Sequence, residues 1–174
     1  MPHRKADIRG LYGIVSDEVL RAMKAAHEAL DRAGVPHALV GALAVGAYGY
    51  PRASKDVDFL VGDEAFDHHA GGIISIRPGV PIQYKGVTID PISIEPGSEH
   101  LRDAVDAPEV SEGIPVAPPE ALVYMKLMSP RRKDAADIVE LISSGLDTAP
   151  IFDYLEEHAP NLVSKFEDLI QDIE

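Results

Sequence analysis

Apolar residues recur at helical spacing near the start of the chain. Between residues 16 and 33, the residues that recur at this spacing include Val19, Leu20, Met23, Ala26 and Leu30. This spacing puts them on one face of an amphipathic helix. Ser16 is a preferred helix cap and Gly34 a preferred helix stop, so the pattern predicts a helix over 16–33.

The same periodicity returns in the last third of the chain. It predicts helices over 120–127, 131–143, 151–157 and 162–173, each with an apolar stripe and a polar face. The C-terminal part of the chain is therefore predicted to be entirely helical.

Shorter apolar runs, bounded by Gly and Pro, occupy the middle of the chain and are typical of β-strands. They predict strands over 37–40, 56–61 and 72–77, and a hairpin over 81–92 that turns at Lys85 and Gly86. Short helices are predicted over 63–69 and 98–105. Together these elements predict an α+β fold: a mixed β-sheet core with its flanking helices over 1–116, and a C-terminal helical region over 117–174 packed on it.

The first predicted strand is followed by the small-residue run Gly-Ala-Leu-Ala-Val-Gly-Ala-Tyr, which starts at Gly41 and can form a tightly packed helix. The first turn of a helix leaves backbone N–H groups free and carries the positive end of the helix dipole. Gly41 and Ala42 are therefore candidate phosphate-binding residues.

Two carboxylates lie one residue apart on the second predicted strand. Side chains alternate across a strand, so Asp56 and Asp58 share one face while Val57 and Phe59 share the other. Aspartate is depleted in strands and the two like charges repel, so a positive partner is expected. Oxygen ligands favour Mg²⁺ or Mn²⁺ over zinc. Asp90, on the hairpin, would supply the third carboxylate of a two-metal centre.

Composition narrows the classes of function. The 174 residues are 45% hydrophobic, enough for one compact core. The net charge of −13 argues against a broad nucleic-acid-binding surface, although the cluster of Arg131, Arg132 and Lys133 can form a local phosphate site. The chain has no cysteine, so any metal must bind to oxygen or imidazole.

No apolar run approaches the roughly 20 residues of a membrane-spanning helix, and the first residues lack the apolar stretch of a signal peptide. We expect a soluble, cytoplasmic protein without a membrane partner.

These residues resemble the polymerase-β-like nucleotidyltransferase superfamily, and within it the minimal and AbiEii-like nucleotidyltransferases of toxin–antitoxin systems. The resemblance spans roughly residues 35 to 141. It is carried by the segments 40–42, 49–61 and 131–137, and by Asp90 and Lys126.

The resemblance implies a mechanism. Asp56 and Asp58 would bind the metals, and Asp90 would help to bind them and to activate an acceptor hydroxyl that attacks the α-phosphorus and expels pyrophosphate. It also makes Lys126 a candidate ligand of the triphosphate.

The basic residues have alternative interpretations. Lys126 can bind phosphate or lie on a solvated helix face, and Asp134 and Asp137 are expected to fix nearby basic side chains by ion pairs. Lys55 can bind the nucleotide or offset the neighbouring acids; for Arg52, charge balance is the favoured interpretation.

His68 and His69 are adjacent in the sequence. Adjacent residues on a helix point about 100° apart and rarely share a metal. They are expected to be surface histidines.

Two functions follow. The first is a Mg²⁺-dependent (or Mn²⁺-dependent) nucleotidyltransferase that moves a nucleoside monophosphate from an NTP to a hydroxyl of RNA, protein or a small molecule, with a cognate toxin or antitoxin as a further partner. The second is a non-catalytic interaction module of the same fold. It is motivated by the acidic C-terminal region and by Ala42, which stands where the family usually has Ser or Gly.

Overall fold

The structure is a computed structural model that describes residues 4–173. Residues 1–3 and 174, at the outer ends of the two predicted regions, lie outside the described residues. The strands are β1 (His37–Val40), β2 (Val57–Val61), β3 (Phe66–His68), β4 (Ile74–Ile76), β5 (Gln83–Tyr84), β6 (Val87–Ser93), β7 (Glu109–Ser111) and β8 (Ile114–Val116). The helices are α1 (Asp17–Arg32), α2 (Gly41–Ala47), α3 (Arg102–Asp106), α4 (Pro119–Met128), α5 (Arg132–Ser143), α6 (Ala149–His158) and α7 (Val163–Ile170).

Six of the strands form one mixed sheet in the order β5-β6-β2-β1-β8-β7. The pairs β2/β6 and β1/β8 are parallel, while β1/β2, β5/β6 and β7/β8 are antiparallel. Helices flank this sheet and follow one another from α4 to α7, and a 3-10 turn, Gln171–Ile173, comes last among the described residues. The predicted α+β class, with a mixed sheet and a helical C-terminal region, is confirmed.

The two central strands and helix α1 follow the sequence pattern closely. All four residues of β1 are buried, as are the apolar residues of β2. The hydroxyl of Ser16 accepts a hydrogen bond from the N–H of Val19 at 3.3 Å, and Gly34 has a φ of +69°, so both predicted ends of α1 are present. The apolar face of α1 is buried at Val19, Ala22, Met23, Ala26 and Leu30.

The register of the central strands brings three chain segments together. Val40, the last residue of β1, pairs with Asp58 of β2, and Asp58 pairs with Asp90 of β6. The turn from β1 into α2 therefore lies beside two of the three candidate carboxylates.

The C-terminal helices share the core of the sheet. One hydrophobic cluster of buried residues includes Leu39 and Phe59 from the sheet together with Ile138, Leu155 and Phe166 from the helices. The division of the chain at residue 117 remains a prediction. None of the helices between residues 4 and 173 combines the length and apolar character that crossing a membrane requires.

The helix predicted over 63–69 is wrong. A single 3-10 turn, Asp63–Ala65, leads directly into β3, which pairs antiparallel with β4 in a separate two-stranded sheet. The segment is too short for a helical period to be distinguished from a strand, and the pairing with β4 decides its conformation.

The sequence interpretation also missed the hairpin of β7 and β8. Its turn contains Glu112 and Gly113, both at positive φ, and Pro115 lies within β8. Proline argues against a strand, which hid this one. β8 nevertheless packs against β1, with all three of its residues buried.

Candidate functional site

The site is built around the contact between Gly41 and Asp58. Gly41 has a φ of +69°, which L-residues with a side chain rarely adopt. A Cβ at this position would overlap Oδ2 of Asp58 and lie 3.0 Å from its Cγ. Only glycine therefore lets the chain turn from β1 into α2 while the Asp58 carboxylate occupies the space beside it.

Asp58 carries an electrostatic cost at this position. Burial is the main reason that the pKa of Asp58 is raised to about 7. A hydrogen bond with Asp90 and repulsion from the charges of Asp90 and Asp56 raise this pKa further, while the positive charge of Lys126 lowers it. The attraction of Lys126 therefore does not cancel the effect of burial and of the two neighbouring acids on Asp58.

Asp56, Asp58 and Asp90 line a single cleft of about 440 Å³. Asp56 and Asp90 are exposed and Asp58 is partly buried. The cleft is lined by Gly41, Ala42, Arg52, Ser54, Asp56, Asp58, Asp90, Pro91, Ile92, Lys126, Arg131, Lys133 and Asp134. The sequence-predicted carboxylates, the predicted phosphate turn and Lys126 are therefore brought together.

Lys126 is buried, with only 7% of its side chain exposed. Its Nζ donates to Oδ1 of Asp134 and to Oδ2 of Asp137, both at 2.9 Å. The predicted solvated helix face is thus wrong for Lys126, because two carboxylates compensate its charge inside the protein. An ammonium has three N–H bonds, so one remains for a ligand in the cleft.

The two aspartates also fix arginines, as predicted. Arg52 donates from Nε and Nη2 to the two carboxylate oxygens of Asp137, at 3.2 and 3.0 Å. Asp134 accepts from Ser129 and from Nε of Arg131. Burial opposes ionisation of Asp134, yet these hydrogen bonds and that from Lys126 hold its pKa at about 2. The network ties α4 to α5. It also holds three basic side chains in the cleft that the acids line, and these are called the basic wall: Arg52, Lys126 and Arg131.

Lys55 is exposed on the loop before β2 and is not among the residues that line the cleft. Its role as a nucleotide ligand remains a prediction. The cleft also contains Ser54 and Lys133, which the sequence interpretation did not single out individually. The Oγ of Ser54 donates to the backbone carbonyl of Asp56 at 3.1 Å, and Lys133 is exposed.

His68 and His69 are exposed, as expected of surface histidines, although they lie at the end of β3 and not on a helix. The ring of His68 hydrogen-bonds to Asp63, and that of His69 to Ser75. Neither joins a group of metal-ligating side chains among the described residues.

The donor chemistry of the carboxylates fits a hard divalent cation, because oxygen ligands and neighbouring acids that repel one another favour Mg²⁺ or Mn²⁺. Among the described residues, Asp56, Asp58 and Asp90 do not form a group in which one carboxylate oxygen from each lies within 4.8 Å of the other two. The fit therefore rests on charge and ligand type and not on a preformed chelate.

The chain was also compared with known proteins. No protein-family model matches the chain, and no curated protein matches it. Among solved structures, the chain is similar to an antigenic nucleotidyltransferase-like protein from Paracoccidioides brasiliensis, with 22% identity over 92% of this chain and 94% of that chain and a TM-score of 0.48. At this identity and TM-score the likeness assigns no function, and the cleft is interpreted from its own residues.

Replacing Gly41 by alanine tests the close contact with Asp58. Gly34 is a matched control, because it has the same φ of +69° but no atom within 4 Å of the place that a Cβ would occupy. We expect Gly34→Ala to cost about 1–2 kcal/mol from backbone strain alone. Gly41→Ala should cost more in urea unfolding, because the Asp58 carboxylate must also move. If Gly34→Ala and Gly41→Ala lower the free energy of unfolding by the same amount, the close contact between position 41 and Asp58 is contradicted.

The raised pKa of Asp58 makes a prediction about stability and pH. The native state holds this proton more tightly than the unfolded chain, so ionising Asp58 lowers the free energy of unfolding as pH rises from about 4 to about 7. In metal-free buffer, Asp58→Asn should therefore gain stability over wild type as pH increases from 5 to 8, measured by urea unfolding. Asp153→Asn, at an exposed position on α6, should follow wild type. If the free energy of unfolding changes with pH in the same way in wild type and in Asp58→Asn, ionisation of Asp58 does not destabilise the protein and the prediction is wrong.

Proposed function

We propose that the protein is a divalent-metal-dependent nucleotidyltransferase that moves a nucleoside monophosphate from an NTP to an acceptor hydroxyl. One observation carries the proposal: Asp58 and Asp90 lie side by side on parallel strands, with Asp58 packed against the glycine that opens α2. The three acids, the start of α2 and the side chains of Lys126 and Lys133 line one cleft, which brings together the kinds of group that nucleotidyl transfer uses.

The start of α2 is the proposed phosphate site. Val40 is the N-cap residue of α2, and its side chain makes no capping hydrogen bond. No N-cap side chain therefore occupies the backbone N–H groups of Gly41 and Ala42. The methyl group of Ala42 adds no hydroxyl contact, but it leaves the backbone donors accessible. Opposite them, the remaining N–H of Lys126 and the exposed ammonium of Lys133 can neutralise phosphate oxygens.

Asp56, Asp58 and Asp90 are the proposed metal ligands. Bound Mg²⁺ or Mn²⁺ would neutralise charge on the triphosphate and stabilise the leaving pyrophosphate. The high pKa of Asp58 also fits this role, because a cation would compensate the charge that the site now concentrates there.

Asp90 is the proposed acceptor of the hydroxyl proton, because it is the exposed member of the adjacent pair. The acceptor oxygen forms a bond to the α-phosphorus, the bond from that phosphorus to the β-phosphate oxygen breaks, and pyrophosphate leaves. The proton passes to the carboxylate of Asp90. In this proposal the cleft would position these groups, which is most of what phosphoryl transfer requires of a protein.

The acceptor remains open among RNA, protein and small molecules. The net charge of −13 favours an acceptor other than a long nucleic acid, whereas Arg131 and Lys133 at the cleft provide a local cationic site for an RNA end. The narrower resemblance to AbiEii-like enzymes, and with it a toxin–antitoxin partner, also remains a proposal.

A second candidate function is a non-catalytic module of the same fold. It is favoured by Ala42 and by the commitment of Lys126 to two internal carboxylates, both of which leave fewer groups for a triphosphate.

Calorimetric titration with Mg²⁺ and each NTP separates the two candidates. We expect the wild-type protein to bind at least one NTP in the presence of Mg²⁺, and the Asp56→Asn, Asp58→Asn double variant to lose that binding. A folded wild-type sample that binds no NTP would favour the non-catalytic module.

Transfer itself is tested with NTPs labelled at the α-phosphate and incubated with cell extract. Wild type and the Asp153→Asn control should label an acceptor, while the double variant should not. Retained turnover in the double variant would overturn the proposed function.

A further inference from the structure

A second cluster of ligating side chains lies at the other end of β1. His27 and Asp31 are one turn apart on α1, and His37 is the first residue of β1. Among the described residues, these three form a group whose ligand atoms all lie within 4.8 Å of one another. Val40, beside the cleft, is three residues further along the strand, about 10 Å away.

The hydrogen bonds fix the orientation of His37. Its Nδ1 lies 2.7 Å from the carbonyl oxygen of Val35. A carbonyl can only accept, so Nδ1 carries the proton and the lone pair of Nε2 accepts the hydrogen bond from Nδ1 of His27. Metal-binding histidines are commonly held in this way, with the non-ligating nitrogen donating to a backbone carbonyl.

The lone pair of His37 points towards a second imidazole. Nε2 of His37 lies 2.8 Å from Nδ1 of His27, and Nε2 of His27 lies 3.6 Å from Oδ2 of Asp31. A metal between the rings would replace the proton on Nδ1 of His27, which that imidazole can carry on Nε2 instead. Two imidazoles bound to one tetrahedral zinc, with bonds of about 2.0–2.1 Å, have nitrogens about 3.3 Å apart, so the rings need to separate by about 0.5 Å. His27 is 17% exposed, which leaves it room to make this adjustment.

The surroundings of the cluster suit an entering ion. The side chain of His37 is buried and only 4% exposed, and its ring packs edge-on against Phe59 with centroids 5.4 Å apart. The carboxylate of Asp31 is 66% exposed and can rotate towards the two rings. The buried imidazole supplies a fixed ligand and the exposed carboxylate an adaptable one.

We infer that His27, Asp31 and His37 form a binding site for a late transition-metal ion, with Zn²⁺ the best match. Two imidazoles and one carboxylate favour zinc over Mg²⁺, which prefers an all-oxygen shell, and a water can complete the tetrahedron. The ion joins the last turn of α1 to the start of β1 and stabilises that junction. This site is separate from the carboxylate cleft in position and in metal preference.

The test is calorimetric titration of the metal-stripped full chain with Zn²⁺ in millimolar Mg²⁺, which occupies oxygen ligands without competing for imidazole. We expect one Zn²⁺ per chain. His27→Gln and Asp31→Asn should each weaken binding by about 10-fold or more, since loss of even an outer-shell partner costs about 10–100-fold. His68→Gln is the matched control, because His68 also pairs with an aspartate but joins no such cluster among the described residues.

Two further measurements report on the same site. Co²⁺ in place of Zn²⁺ should give the visible absorption of a tetrahedral ion in wild type and His68→Gln, and lose it in His27→Gln. Zn²⁺ should raise the melting temperature of wild type more than that of Asp31→Asn, whose exposed position makes it the variant safest for folding. No Zn²⁺ binding in Mg²⁺ buffer, or equal binding by wild type, His27→Gln and Asp31→Asn, would overturn the inference.

Discussion

The close approach of the Gly41 backbone to the Asp58 carboxylate is the constraint on which the site depends. The chain turns from β1 into α2 at a positive φ, directly against the partly buried carboxylate of Asp58. There is therefore no room for a side chain at position 41. The same contact places the first turn of α2 beside the acids of β2 and β6. One glycine and one strand register thus bring together the backbone proposed to bind phosphate and the oxygens proposed to bind metal.

The charges around this contact are arranged in two opposed groups. Asp56, Asp58 and Asp90 concentrate negative charge, and burial makes that costly for Asp58. Lys126 faces them from α4, held by Asp134 and Asp137, which also anchor two arginines. An acidic protein can therefore present a local basic wall, because buried carboxylates keep its cations in place. Asp56 and Asp90 repel the charge on Asp58, and a cation bound between these acids would relieve that repulsion.

Much of this could be predicted from the sequence. The strand before Gly41, the strand that carries Asp58, and the hairpin that carries Asp90 all depend on local patterns of apolar residues and turns. Asp56 is predicted on the same strand as Asp58 but lies just before its first residue, Val57. The burial of Lys126 could not be predicted, because its partners are eight and eleven residues away and are buried only once α4 and α5 pack together. The β7/β8 hairpin was hidden by Pro115. The contact of His27 with His37 depends on how α1 packs on the sheet, so it could not be predicted. The sequence indicates only that His27 and Asp31, four residues apart, share one face of a helix.

The most direct test of the proposed cleft is to locate Mn²⁺ by anomalous scattering in crystals grown with Mn²⁺ and a non-hydrolysable NTP analogue. The expected result is Mn²⁺ bound to Asp56, Asp58 and Asp90, with the triphosphate against the backbone N–H groups of Gly41 and Ala42. A triphosphate bound elsewhere, or Mn²⁺ absent from these three carboxylates in a crystal that contains the nucleotide, would contradict it.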